Sequence, residues 1–89
     1  MKRELNLGDI EGLPTQDAIK ALDEFIERFP TSEDAYLMRG KKYWSLGKRK
    51  EAINDYLAAL NINPEGKGKV LLNYAESILN YYSKDLLNP

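Results

Sequence analysis

Six cations, Arg39, Lys41, Lys42, Lys48, Arg49 and Lys50, stand in the stretch RGKKYWSLGKRK, with Tyr43 and Trp44 between them and no acid. Cations at that density can hold phosphates, and interleaved rings can stack on bases, so the first chemistry to weigh is nucleic-acid binding. Two features argue against it. The sequence pI is near 5.4, unlike a typical basic domain, and a helix with its turn spreads six cations over several faces. The charge is also uneven: residues 1–34 carry a net −5, residues 35–50 carry +6 and residues 51–89 carry −2. A basic centre between acidic flanks suits an acidic partner, or an intramolecular match between elements.

Catalytic chemistry finds little support. The chain has no cysteine and no histidine, which excludes disulfides, thiol nucleophiles, Cys/His zinc sites and the usual neutral-pH general base. Ser32, Ser45, Ser77 and Ser83 therefore lack an activating imidazole. Asp23, Glu24 and Glu27 fall on the outward face of a helix, where solvation is the ordinary role of carboxylates. Gly66 and Gly68 in PEGKGK lack the spacing and the preceding strand of a phosphate loop and read as a turn. No enzyme, metal or cofactor is expected.

The elements that position these residues are helical. With 43% apolar and 30% charged residues, the 89-residue chain reads as one globular domain. Ala18, Ile19, Leu22, Phe25, Ile26 and Phe29 recur at the three-and-four spacing of one helix face, with Thr15 as its cap and Pro30 as its end. A second helix begins at the cap Ser32 and presents Tyr36, Leu37, Gly40, Tyr43 and Trp44 before a stop at Gly47. A third runs from about Arg49 to Ile62 with Ala52, Ile53, Tyr56, Ala59 and Leu60 inward, and a last one from about Lys69 to Leu87. Strand-like alternation is absent, so the expected fold is all-α, with three to four helices packed antiparallel through short connections. No apolar run is long enough to span a membrane. The opening MKRELNLGDIEG has no apolar signal-peptide core, and a cytoplasmic location is the expectation.

An internal repeat sharpens this. DAIKALDEFIERFP (17–30) aligns with EAINDYLAALNINP (51–64): Ala18 with Ala52, Ile19 with Ile53, Leu22 with Tyr56, Ile26 with Leu60 and Pro30 with Pro64, each pair 34 residues apart. Residues 33–64, with Tyr36, Gly40, Tyr43, Ala52, Tyr56, Ala59 and Pro64 at matching positions, resemble one tetratricopeptide repeat. The resemblance covers roughly residues 15–64, a second helix of a partial repeat (15–30) and a full repeat (31–64), with residues 65–89 as a capping helix. It implies a right-handed superhelical stack. Arg39 replaces the family's usual leucine, and Phe25 stands where Ala59 suggests a small residue. The first repeat lacks a full first helix, leaving residues 1–14 with at most a short one near Lys2–Leu7. Leu5, Leu7, Ile10 and Phe25 are expected to fill the vacated space.

In that family the first helix of each repeat lines a concave groove. The resemblance places Asp34, Leu37, Lys41, Trp44 and Ser45 at groove positions, and stepping 100° per residue puts them on one arc. An apolar pair beside a cation suits a partner segment with an apolar anchor and an acidic group. Packing against the neighbouring repeat is the alternative role for Leu37 and Trp44. The family's clamp for C-terminal carboxylates needs lysines and asparagines from several repeats; only Lys41 qualifies, so binding of chaperone tails is not expected. The reading is therefore a non-catalytic adaptor for a protein or peptide, with nucleic-acid binding as the alternative.

The last helix is apolar over an arc of about 200°, more than one helix pair can cover. Its Val70, Tyr74 and Tyr81 edge must either wrap under the missing first helix or form a homodimer seam or partner site.

Overall fold

The computed structural model describes residues 5–87, with side chains described as far as Ile78. Five helices follow in order: α1 (Leu7–Glu11), α2 (Thr15–Arg28), α3 (Glu33–Ser45), α4 (Arg49–Ile62) and α5 (Lys67–Leu87). The described residues contain no strand. The architecture is a stack of helical hairpins, each helix packed on the next.

Local chemistry accounts for the boundaries, including two that differ from expectation. Residues 2–4 of the short helix expected near Lys2–Leu7 lie outside the described residues, and Leu5 and Asn6 are not helical. The chain enters α1 at Leu7 because Asn6 and Asp9 form a reciprocal cap: the Asp9 N–H donates to Asn6 Oδ1 at 2.8 Å, and the Asn6 N–H donates to Asp9 Oδ2 at 3.3 Å. This adds a fifth helix to the three or four expected. Thr15 does not cap α2; the cap position is Pro14, and Thr15 is the first helical residue. Proline ahead of a helix start has its φ preset and no N–H to satisfy. Ser32 does cap α3, its hydroxyl accepting from the Ala35 N–H at 3.3 Å.

Gly47 ends α3 at φ 77°. The Lys48 N–H reaches Tyr43 O at 2.9 Å and the Gly47 N–H reaches Trp44 O at 3.0 Å, so a left-handed glycine satisfies two terminal carbonyls.

The apolar interior has two parts that meet at α3. In one, Ile10, Ala18, Leu22, Ile26 and Ala35 join α1, α2 and α3. In the other, Leu37, Ala52, Tyr56, Ala59, Leu72 and Ala75 join α3, α4 and α5. Ile10 is 1% exposed, and Leu7, Leu13 and Phe25 pack partly against the same group. These side chains occupy the space left by a short first helix, as expected. Leu5 does not; it is 41% exposed.

α5 begins at Lys67, two residues before the expected start, so Gly68 lies inside a helix rather than in a turn. Its lack of a side chain lets α5 approach α4: a Cβ there would stand 2.9 Å from Leu60 N and 3.0 Å from Tyr56 O. Both are backbone atoms of α4 and cannot rotate away. Gly68→Ala is expected to lift α5 from α4 and destabilise the fold by about 1–2 kcal/mol in urea unfolding, since overpacking outweighs the gain in helix propensity.

Candidate functional site

The six cations of residues 39–50 have separate surroundings. Arg39 faces inward. Its Nε donates to Asp55 Oδ2 at 2.9 Å, its Nη2 to Asp55 Oδ1 at 2.7 Å and its Nη1 to Asp23 Oδ1 at 2.9 Å. One guanidinium thus ties α3 to both α4 and α2 through a bidentate and a single contact. The rings of Tyr36 and Tyr43 lie 5.6 and 5.9 Å from it, within cation–π range.

The hydrogen bonds from Arg39 to Asp55 push its pKa above the usual arginine value, against a smaller opposing effect of burial. Burial likewise raises the Tyr56 and Tyr43 hydroxyls above the usual phenol value. Lys42 Nζ approaches Glu11 of α1 at 3.8 Å. The Arg49 guanidinium lies over Trp44 at 4.0 Å from the ring centre and donates to Trp44 O at 3.2 Å. Lys41, Lys48 and Lys50 are exposed.

Asp55 is the functional partner that sequence reading missed. Nothing in the charge balance of residues 51–89 sets it apart, yet it is 4% exposed. The signal was Arg39 itself: a cation at an inward position where the repeat usually has leucine requires a buried acid opposite.

A cleft of about 500 Å³ opens where α1, α3 and the start of α5 come together. It exists because α1 has 5 residues where α3 has 13; at 1.5 Å per residue, a helix of α1's length covers less than half of its neighbour. Leu7, Leu37 and Met38 supply apolar wall. Lys41, Lys42 and Lys67 bring positive charge to it, and Glu11 and Asp34 bring negative charge. Four of the five residues assigned to a groove from sequence, Asp34, Leu37, Lys41 and Ser45, therefore border one cavity.

Leu37 belongs to its floor, being only 5% exposed, and Ser45 donates to Lys42 O at 2.7 Å. The fifth, Trp44, does not border the cleft; it is half-buried against the interior, with the Tyr74 ring 6.4 Å away. Lys67, absent from the sequence assignment, joins the cleft because α5 starts early.

Residues 33–65 match the family model of the tetratricopeptide repeat. The chain carries a tetratricopeptide repeat. Neither a curated protein nor a solved structure matches the chain. The two helices of the repeat are α3 and α4, joined where Gly40 admits the Tyr56 ring. The cleft lies on the α3 side of this repeat, between α1 and the start of α5.

On α5, Leu72 and Ala75 are buried, while Val70 is 68% and Tyr74 59% exposed. The expectation that this edge wraps under the shortened first helix does not hold for Val70 and Tyr74: Ile10 occupies that space. The Tyr81 side chain lies outside the described residues. Among the described residues no helix is long and apolar enough to cross a membrane.

Proposed function

We propose that the chain is a non-catalytic adaptor whose cleft binds a segment of a protein partner carrying an apolar side chain next to an acidic group. Tetratricopeptide repeats generally mediate protein–protein interaction and are generally non-catalytic, which supports the class of partner. The observation that carries the finer reading is the grouping of Lys41, Lys42 and Lys67 around Leu7, Leu37 and Met38. Lysines at such a rim act as mobile point charges that favour an incoming carboxylate, while the apolar wall offers a place to desolvate a side chain. Glu11, already beside Lys42 at 3.8 Å, gives the cleft a built-in competitor that selects against weakly acidic segments.

The role belongs to a cytoplasmic protein in this reading. Self-association through Val70, Tyr74 and Tyr81 is compatible with it, since Val70 and Tyr74 do not line the cleft.

The test is affinity capture from the native cell with the wild-type chain, followed by titration of the captured segment. Lys41→Ala and Lys67→Ala each remove an exposed charge and are expected to weaken binding by roughly 2–5-fold, with the double variant weaker still and helical content unchanged. Equal binding by the folded double variant would count against the cleft. The alternative of nucleic-acid binding has lost Arg39 to Asp55 and Asp23. Filter binding at two salt concentrations is expected to show no affinity that falls steeply with salt.

A further inference from the structure

Helices α3 and α5 begin 34 residues apart, at Glu33 and Lys67. The correspondence assigns each residue of α5 a counterpart on α3. Tyr36, Arg39, Gly40 and Tyr43 of α3 form the face turned to α4: Gly40 admits Tyr56, and Arg39 binds Asp55. Their counterparts on α5 are Val70, Asn73, Tyr74 and Ser77. All four are exposed. The same face that holds the next helix in α3 is therefore left uncovered in α5 by the described residues.

Composition says that this face is meant to be covered. Residues 70–83, VLLNYAESILNYYS, contain one charged residue, Glu76. A helix packed on one neighbour normally carries charges over its remaining surface. The steps from Val70 to Tyr74 to Ser77 are four and three residues, and the spacing continues to Tyr81. That alternation is the seam of two helices packed nearly parallel or antiparallel to each other.

We propose that α5 pairs with α5 of a second copy, antiparallel about a two-fold axis, through Val70, Tyr74 and Ser77. The second copy is favoured by the pattern of sizes. Position 40 of α3 is glycine, which lets a large ring of α4 come in; its counterpart Tyr74 is large and needs a small residue opposite. A two-fold axis between Ala75 and Glu76 sets Tyr74 against Ser77 of the second copy, and the reverse, so that each Tyr74 meets a small side chain. An axis at that point runs perpendicular to α5, which makes the pair antiparallel, as neighbouring helices of a hairpin stack are. The exposed Asn73 beside the seam is polar and uncharged, so two like surfaces meet there without charge repulsion. The seam is separate from the proposed cleft, and its failure would leave that reading standing.

Sedimentation velocity of the full chain from low to high micromolar concentration is the test. A monomer–dimer equilibrium is expected, with Val70→Glu and Tyr74→Glu each moving its midpoint at least ~10-fold upward while circular dichroism stays unchanged, because both residues are exposed in the monomer. A strict monomer throughout would overturn the proposal, and so would a dimer indifferent to both substitutions. The chain has no cysteine, so orientation can be read directly by mixing Tyr74→Cys chains with Ser77→Cys chains under oxidation. Disulfides mainly between unlike chains are expected; mainly like-with-like products would overturn the antiparallel arrangement.

Discussion

Asp55→Ala should lower the folding free energy by about 3 kcal/mol, read as a fall in the urea midpoint. Removing one partner of a buried ion pair leaves the other charge desolvated, and such losses run to about 3–5 kcal/mol; the lower end applies because the Arg39 side chain is 19% exposed. Among the described residues, Asp23 would then be the one carboxylate bonded to Arg39, and its side chain is 53% exposed. For a domain whose whole stability is on the order of 4–13 kcal/mol, this is a large fraction. Asp23→Ala, by contrast, should cost under about 1 kcal/mol, the usual worth of a solvent-exposed ion pair. Replacing both members, Arg39→Leu with Asp55→Ala, should restore part of the loss, since the unpaired charge is gone. A double variant as unstable as Asp55→Ala alone would mean that Arg39 is not the group left stranded.

Gly40→Ala should cost about 2 kcal/mol, although alanine is the better helix former by about 1 kcal/mol. The new methyl carbon would lie 2.6 Å from Cε1 and 2.9 Å from Cδ1 of Tyr56, and 3.2 Å from Cβ of Asp55. Tyr56 is 3% exposed and packs with Leu37, Ala52 and Leu72, so the ring cannot swing aside without displacing them. The strain also reaches Asp55 and, through it, Arg39. Gly40→Ala and Asp55→Ala should therefore not add, and a double-mutant cycle should give a coupling above about 0.5 kcal/mol. Tyr56→Leu in the Gly40→Ala background should recover part of the loss. Additivity in the first cycle, with no recovery in the second, would place the strain elsewhere.

Much of the scaffold is legible before any coordinates. The spacing of Ala18, Ile19, Leu22 and Ile26 sets the buried face of α2, Ser32 and Gly47 bound α3, and the bounds of α4 agree with expectation to the residue. These are local properties, set by side-chain periodicity and by which residues can satisfy terminal backbone groups. The 34-residue repeat is also a property of sequence alone, and the family match over residues 33–65 agrees with it.

The candidate site is less legible, because membership depends on how far neighbouring helices extend. Asp34, Leu37, Lys41 and Ser45 could be placed on one face from α3 alone. Trp44 could not be separated from them, since its position is decided by Arg49 and Tyr74 across other elements. Lys67 could not be included until α5 was seen to start two residues early.

The amino-acid sequence by itself determined α2 to α4 and the 34-residue repeat, because capping, periodicity and close-packing glycines act over a few residues. Only the tertiary structure decided what the inward cation and the second glycine do. Arg39 finds Asp55 sixteen residues away and Gly68 lets α5 meet the backbone of α4, and such pairings exist only once the helices are stacked. The cleft follows from the same cause: a five-residue α1 leaves part of α3 uncovered, and that length was set by an Asn6–Asp9 cap and by where Ile10 could bury.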